Sequence, residues 1–224
     1  MKNSGVVILS GGIDSTTLCY QFVDREWKIK PLIFNYGQKH RKEIEYAQST
    51  CSRLNLDAKI IDLSAINELL SGSALTDTSV DIPEVSEKTM KFDTLKTTIV
   101  PNRNSIFLSL AIGYAVSQGI DNVLFGAHHS DRGVYPDCRK EFIESFQSSQ
   151  RLANDNVDLN VIAPFVDKTK GEIVSTGSGL GVPFKETWSC YAGKEIHCGK
   201  CSSCIERKKA FIEAGVGDPT FYAS

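Results

Sequence analysis

Short apolar runs recur along the chain, and each is followed by a stretch in which apolar residues lie three or four positions apart. Runs of about four to eight residues are typical of buried β-strands, whereas the longer spacing is typical of helices packed on a sheet. The predicted strands cover residues 5–9, 29–34, 58–63, 122–125 and 160–163, and the predicted helices cover residues 41–54, 105–117 and 139–152. A further helix follows residue 12, where Leu18 and Phe22 form an i,i+4 pair. This alternation predicts the α/β class, with an open parallel sheet, helices on both faces and ligands at the carboxyl ends of the strands.

Residues 64–98 interrupt this alternation. The segment has no sustained period and contains Gly72, Pro83 and several charged residues. A segment of this length without regular structure is uncommon inside a compact domain unless it has a function. We therefore expect an active-site flap, with a solvated insertion as the alternative.

Length and composition fit one α/β domain with a small appendage. The chain has 224 residues, of which 41% are hydrophobic, and its net charge of −2 argues against a general nucleic-acid-binding surface. The sequence contains no run of ~20 apolar residues that could span a membrane and no secretory signal, so we expect a cytoplasmic protein. We divide the chain into a main domain, residues 1–187, and a cysteine-bearing appendage, residues 188–224.

The run Ser-Gly-Gly-Ile-Asp-Ser-Thr-Thr at residues 10–17 joins the first predicted strand to the first predicted helix. Two consecutive glycines let the backbone approach a ligand closely, and the helix directs free N–H groups at the turn. We interpret the run as a phosphate-binding loop in which Asp14 holds Mg²⁺ or orients the loop. The alternative is a plain glycine-rich turn capped by Ser15. The run matches neither the P-loop of NTPases nor the Rossmann dinucleotide motif.

Four of the seven cysteines lie close together near the carboxyl end of the chain. Cys198, Cys201 and Cys204 follow one another at Cys-x-x-Cys spacing, and Cys190 precedes them by eight positions. Four thiolates satisfy a closed, tetrahedral Zn²⁺ site of the structural kind. An iron–sulfur cluster is the alternative metal centre for this spacing.

The phosphate loop resembles the Ser-Gly-Gly-x-Asp-Ser motif of the PP-loop ATP pyrophosphatases, which cleave ATP between its α and β phosphates. Further motifs lie at residues 35–40, 100–104, 135–139, 180–183 and 187–191. Together with the loop and the cysteines, they resemble the 7-cyano-7-deazaguanine synthases, nitrile-forming enzymes of queuosine and archaeosine precursor synthesis.

This resemblance implies an adenine-nucleotide-hydrolase-like fold and a homodimer that uses ATP with Mg²⁺, ammonia and 7-carboxy-7-deazaguanine. The acid would be adenylated and aminated to an amide, and a second adenylation would give the nitrile, with AMP and pyrophosphate released. It assigns one structural Zn²⁺ per chain to Cys190, Cys198, Cys201 and Cys204. It assigns ATP to Leu9, Ser10, Gly11, Gly12, Ile13, Asp14, Ser15, Thr16, Thr17, Leu18 and Cys19.

Candidate residues for the chemistry follow the predicted strands. Arg103 could pair with the substrate carboxylate or a phosphate, and other cations could stabilise the departing pyrophosphate. Carboxylates are natural acceptors for the N–H groups of a deazaguanine, and tyrosines could stack on its ring. The catalytic candidates are Ser10, Asp14, Ser15, Lys39, His40 and Arg103. The substrate-binding candidates are Tyr36, Arg103, Asp131, Tyr135, Asp137 and Arg139.

Three other functions remain open from the sequence alone. A PP-loop enzyme that modifies or thiolates tRNA would use the cysteines for an iron–sulfur cluster. A zinc-ribbon nucleic-acid-binding protein would need a basic stripe around the cysteines, and Arg207, Lys208 and Lys209 are its only candidates there. A relative could also stop at the amide or ligate another amine. We expect small-molecule substrates, with neither nucleic acid nor membrane as a partner.

Overall fold

The computed structural model describes residues 3–86, 88–155, 157–192 and 194–223. Within these residues, five parallel strands form one sheet in the order β3-β2-β1-β4-β5. The strands are β1 Ser4–Ile8, β2 Lys28–Asn35, β3 Lys59–Asp62, β4 Asn122–Leu124 and β5 Asn160–Ile162. The predicted α/β class and all five predicted strands are confirmed.

Seven α-helices connect and cover these strands in the described part of the chain. They are α1 Ile13–Asp24, α2 Lys42–Arg53, α3 Phe92–Leu95, α4 Arg103–Ser117, α5 Lys140–Ala153, α6 Lys170–Gly179 and α7 Ser202–Ala214. None of the helices described is both long enough and apolar enough to cross a membrane.

Alternate residues of β1 enter two separate hydrophobic cores, one on each face of the sheet. Val6 and Ile8 pack with α4, where Phe107 stacks on Phe34 of β2 at 4.3 Å between ring centroids. Val7 and the following Leu9 enter the other core, which includes residues of α1, α2, α6 and α7. Side chains of a strand alternate between the two faces, and a central parallel strand covered on both sides is therefore apolar throughout.

Helix α6 was not predicted, because it contains three glycines and has no clear apolar stripe. Its start is fixed by a capping box in which Thr169 and Glu172 each accept a hydrogen bond from the other residue's backbone N–H. The glycines permit close packing: a Cβ at Gly177 would lie 2.8 Å from Thr17 Oγ1 of α1, and one at Gly171 would lie 2.7 Å from a side-chain atom of α7. Close contact between helices therefore outweighs the low helix propensity of glycine here.

The order of the strands places a crevice beside β1. The chain continues from β1 to β2 and β3 on one side, and then crosses to β4 and β5 on the other. Loops leaving β1 and β4 thus diverge at their carboxyl ends, which is where open α/β sheets bind ligands. The predicted phosphate loop leaves β1 at this point.

Residues 64–98 are more regular than the sequence suggested. They form a 3₁₀ turn at Ser64–Leu70, the short helix α3 and a second 3₁₀ turn at Lys96–Thr98. Leu75 is buried and faces the crevice. The backbone N–H of Val85 donates to the carbonyl of Lys200 at 2.9 Å, which ties the segment to the cysteine-bearing appendage.

Candidate active site

The phosphate loop makes a tight turn around its two serines. Ser15 Oγ accepts from the backbone N–H of Ser10 at 3.1 Å and lies 3.1 Å from Ser10 Oγ. The Gly12 N–H points to Ser10 Oγ at 3.4 Å. Gly11 has φ = +78°, a left-handed conformation that favours glycine. Its missing side chain also makes room for α2, since a Cβ there would lie 2.3 Å from Glu43 O.

We therefore predict that Gly11→Ala displaces the loop from α2 and abolishes detectable nucleotide binding. The left-handed backbone alone costs about 1–2 kcal/mol for a non-glycine residue, and the clash with the α2 backbone adds to this. Isothermal titration with ATP and thermal unfolding of the same sample would measure both effects. Gly113→Ala in α4, where an added Cβ meets nothing within 4 Å, is the matched control. Normal ATP affinity in Gly11→Ala would contradict the close packing.

A cluster of charged side chains adjoins the loop. Asp14, the second residue of α1, has its Oδ2 3.3 Å from Lys170 Nζ and 3.7 Å from His128 Nε2. His128 Nε2 also lies 3.3 Å from Asp131 Oδ2, and Lys170 Nζ lies 3.7 Å from Glu206 Oε2. Three carboxylates thus surround one lysine and one buried histidine. The carboxylates outnumber the lysine, so the cluster could bind a metal cation, and the lysine could bind a phosphate group.

Asp14 combines an ionised carboxylate with an atom that has no protein partner. Burial alone would raise the pKa of Asp14, but the attraction of Lys170 and then His128 outweighs it, so the pKa lies below its usual value. Its Oδ1 is buried without a hydrogen-bond partner among the described residues. An unpaired carboxylate oxygen beside a phosphate loop fits a Mg²⁺ ligand.

Lys170 and Glu206 were not selected from the sequence. Burial alone would lower the pKa of the Lys170 ammonium group, but the attraction of Asp14 and Glu206 raises it, so this group stays charged. Burial is the main cause that raises the pKa of Glu206. Lys170 is the first residue of α6, and the loop that leads to it leaves the carboxyl end of β5, so its place after a strand was a usable signal. Glu206 could not be selected in this way, because it lies one helical turn inside α7.

The other end of the same cavity is aromatic. Tyr36 follows β2, and its ring contacts Phe107 of α4 in an edge-to-face arrangement at 5.3 Å. Arg103, at the start of α4, and Tyr191 complete this compartment. Burial alone would lower the pKa of the Arg103 guanidinium. Electrostatic interactions with its neighbours, Tyr36 first and then Cys138, outweigh burial and raise this pKa, so Arg103 remains a cation. A flat aromatic ring with an acidic substituent would match this compartment.

The structure brings together about half of the predicted site residues. Residues of the predicted set that line the cavity are Ser10, Gly12, Ile13, Asp14, Ser15, Tyr36, His40, Arg103 and Asp131. His40 is buried, and its Nε2 lies 3.1 Å from Glu43 Oε2. The cavity also contains residues that were not among the candidates, including Phe107, His128, Tyr191 and Ser189, although the last two lie in the motif at residues 187–191.

The remaining predicted residues do not line this cavity, so their contact with a ligand stays a prediction. The side chains of Leu9, Leu18 and Cys19 lie in the core beneath the loop, and buried Thr16 and Thr17 stand outside the cavity lining. Gly11 likewise lies behind the cavity, against α2.

Four polar candidates are absent from the cavity lining and have partners of their own. Lys39 Nζ donates to the carbonyl of Val80 at 2.6 Å, and Tyr135 OH lies 3.0 Å from Thr98 Oγ1. Asp137 accepts from the Asn104 N–H at 3.2 Å, at the start of α4. Arg139 Nε donates to the carbonyl of Arg132 at 3.0 Å, and it lines a separate groove with Asp137.

The four clustered cysteines converge on one point. All four Sγ atoms lie within 4.8 Å of one another, and the distance from Cys198 to Cys204 is 3.9 Å. Tetrahedral Zn–S bonds of about 2.3 Å separate the sulfur atoms by about 3.8 Å, so these residues fit such an ion. Backbone N–H groups donate to Cys190 Sγ and Cys198 Sγ at 3.3–3.4 Å, which stabilises thiolates.

Arg207 anchors the appendage to the main domain. Its side chain is fully buried, and it donates to the Phe184 carbonyl and to Thr187 Oγ1 at 2.8 Å. Its Nε also pairs with Asp218 Oδ1 at 3.3 Å. The sequence had suggested a basic surface residue. The guanidinium instead joins the two segments that we had separated at residue 187.

We expect Arg207→Met to destabilise the protein by roughly 3 kcal/mol, because it leaves the Asp218 carboxylate without the cation that pairs with it. Burial alone would raise the pKa of Asp218, but the Tyr222 hydrogen bond and Arg207 outweigh it and lower the pKa. The stabilisation is therefore full above the unfolded pKa of about 3.9 and is lost as pH falls through the folded value. Urea unfolding of wild type and Arg207→Met between pH 3 and 7 should show a difference in stability that becomes smaller in acid, with exposed Lys209→Met as control. A difference that stays constant with pH would contradict the pairing with Asp218.

Comparisons with known proteins agree with this geometry. The family model described as "Queuosine biosynthesis protein QueC" matches residues 4–215. A 7-cyano-7-deazaguanine synthase from Hahella chejuensis is 48% identical over 224 residues, covering all of this chain and 95% of the relative. The enzyme of the same name from Methanoregula boonei is 46% identical over 219 residues, covering 97% of this chain and 98% of the relative.

Solved structures support the fold. An NMN synthetase from Francisella tularensis has a TM-score of 0.56 at 15% identity, with 96% of this chain and 78% of that chain covered. A 4-thiouridine synthetase bound to RNA and ATP has a TM-score of 0.50 at 17% identity, with 96% and 51% covered. The family follows from the whole-length sequence matches. The phosphate loop, the charged cluster and the four convergent cysteines are consistent with it. The chain belongs to the queuosine biosynthesis protein QueC family of enzymes.

Proposed function

We propose that this enzyme converts 7-carboxy-7-deazaguanine, ATP and ammonia into 7-cyano-7-deazaguanine, releasing AMP and pyrophosphate. One observation carries the proposal: the phosphate loop and the aromatic compartment open into a single cavity. An activated carboxylate can therefore form where the two ends of the cavity meet. The names of the whole-length relatives support the choice of product.

The first half of the reaction activates the acid. Arg103 would orient the substrate carboxylate, while Tyr36 and Phe107 hold its ring. The carboxylate oxygen attacks the α-phosphorus, and pyrophosphate leaves toward the loop N–H groups and Lys170, which offset its charge. Ammonia then attacks the carbonyl carbon, the bond from that carbon to AMP breaks, and the surplus protons pass to solvent. The product of this half is the primary amide.

The second half uses the same site. The amide oxygen attacks the α-phosphorus of a second ATP, and pyrophosphate leaves again. Loss of the remaining N–H protons lets the nitrogen lone pair form the triple bond as AMP departs. One phosphate loop is sufficient for both steps, because pyrophosphate leaves toward the same loop N–H groups each time.

Two metal ions complete the proposal. Asp14, through its unpaired Oδ1, would hold Mg²⁺, which supplies charge neutralisation for the triphosphate. Cys190, Cys198, Cys201 and Cys204 would hold one Zn²⁺, a closed site without an open position for catalysis.

We predict that Cys201→Ser lowers zinc content from one per chain toward zero and lowers the unfolding temperature, because metal binding and folding of the appendage are coupled. Elemental analysis and calorimetry of the same preparation would measure both. Cys51→Ser in α2, outside the cluster, is the control for loss of a buried thiol. A metal-free Cys201→Ser protein with unchanged stability would show that the site has no role in folding.

The proposed function is tested by incubating pure protein with 7-carboxy-7-deazaguanine, ATP-Mg²⁺ and ammonium and analysing the products by mass spectrometry. We expect the nitrile with AMP and pyrophosphate. ADP and phosphate would contradict the assignment of the loop, and accumulation of the amide would identify an enzyme that stops halfway. A brown protein that absorbs near 400 nm would favour the tRNA-thiolating alternative. We further propose a homodimer, which light scattering would test.

A further inference from the structure

The cysteine-bearing segment builds one wall of the cavity. Five cavity-lining residues come from this segment and the helix that follows it: Trp188, Ser189, Tyr191, Ser203 and Glu206. Cys190 and Cys204 lie between them in the chain, so the fold around the four thiols determines where these side chains stand. The wall therefore cannot keep its shape independently of the cysteine cluster.

One main-chain hydrogen bond links this wall to the phosphate loop. The N–H of Trp188 donates to the carbonyl of Gly11 at 2.9 Å. The carbonyl and the N–H of a trans peptide point in opposite directions. The bond from Trp188 therefore turns the Gly12 N–H away from the wall and toward Ser10 Oγ, at the cavity side of the loop. In the proposed ATP site this N–H would donate to a phosphate oxygen.

The ring of Trp188 fixes the position of its backbone. The indole Nε1 donates to the carbonyl of Cys190 at 2.8 Å, and the ring packs on His197 at 4.3 Å between centroids. His197 Nε2 in turn accepts from the Ser189 N–H at 3.1 Å. The ring is almost fully buried. Trp188 thus connects the cysteine cluster on one side with Gly11 on the other.

We propose that Trp188 is a positioning residue that transmits the fold of the metal-held segment to the phosphate loop, so that nucleotide affinity depends on the metal site. The inference rests on the proposed ATP site. It assigns the four cysteines a role beyond local stability: they hold the Gly12 N–H in the direction that an anion needs. Trp188 itself does not touch the reacting atoms in this account.

The test compares the two tryptophans of the zinc-loaded protein. Trp188→Ala removes the ring that fixes the loop, while Trp27→Ala removes a ring that packs on Phe22 away from the cavity. We expect Trp188→Ala to weaken ATP binding about tenfold, or ~1.4 kcal/mol, and Trp27→Ala to leave it unchanged. Amide hydrogen exchange should become faster in a peptide covering residues 9–14 in Trp188→Ala, with the β2 peptide unaffected.

The readouts separate the possible failures. If wild-type protein binds ATP and Trp188→Ala binds it equally well with unchanged exchange in residues 9–14, the inference is wrong. If wild-type protein binds no ATP, the proposed function fails, and the exchange data alone still decide whether Trp188 orders the loop. Should Trp188→Ala not fold, Trp188→Phe and zinc removal from wild-type protein by a chelator replace it. Loss of zinc without a change in ATP affinity or loop exchange would equally overturn the inference.

Discussion

Asp14→Asn should reduce turnover by roughly a thousandfold while leaving the fold intact. The substitution keeps the shape of the side chain but removes the charge that faces Lys170 and His128 at 3.3 and 3.7 Å. It also removes the oxygen anion proposed to bind Mg²⁺, and loss of one preorganised electrostatic contact commonly costs 10²–10³-fold in rate. Steady-state formation of pyrophosphate, with circular dichroism as the measure of folding, would test this expectation.

Asp24→Asn is the matched control, because Asp24 is an exposed residue at the other end of the same helix. It should behave as wild type. If Asp14→Asn retains more than a tenth of the wild-type rate at saturating Mg²⁺, the assignment of Asp14 to the nucleotide site is wrong.

Lys170→Met should lower turnover by about 10²–10³-fold and also destabilise the protein. The lysine lies between Asp14 and Glu206, so its removal leaves two carboxylates close together without their cation. It also removes the cation proposed to offset charge on the departing pyrophosphate. The rate loss should appear in kcat more than in KM for ATP, because the charge on the leaving group develops in the transition state.

Lys170→Arg separates the two effects. It keeps the positive charge and should recover most of the stability, whereas the bulkier guanidinium should recover only part of the rate. Thermal unfolding and kcat of both variants would be measured together. Equal rates for Lys170→Met and wild type would exclude a role for this lysine in the reaction.

The architecture could be predicted because its signals are local. Apolar runs and helical spacing predict the five strands and most of the helices, and parallel strands bring the loop after β1 to the same edge as the loop after β4. Helix α6 escaped prediction for a physical reason. Gly177 and Gly171 lie in close contact with α1 and α7, and such contacts are absent from any local pattern.

The site could be predicted only where a motif is continuous. The phosphate loop and the Cys-x-x-Cys run carry their geometry in their spacing. The charged cluster does not, since Asp14, His128, Lys170 and Glu206 come from four separate elements. Arg139 and Lys39 lie in the motifs and carry the expected charge, yet both make hydrogen bonds to backbone carbonyls outside the cavity.

In the proposed mechanism, one site adenylates first the acid and then the amide. The most direct measurement is the number of AMP molecules released per nitrile from each starting compound. We expect two AMP from 7-carboxy-7-deazaguanine and one from synthetic 7-amido-7-deazaguanine, with Ser10→Ala slowing both conversions by a similar factor. An amide that is inert while the acid still yields nitrile, or a Ser10→Ala variant that blocks only one conversion, would contradict the single-site account.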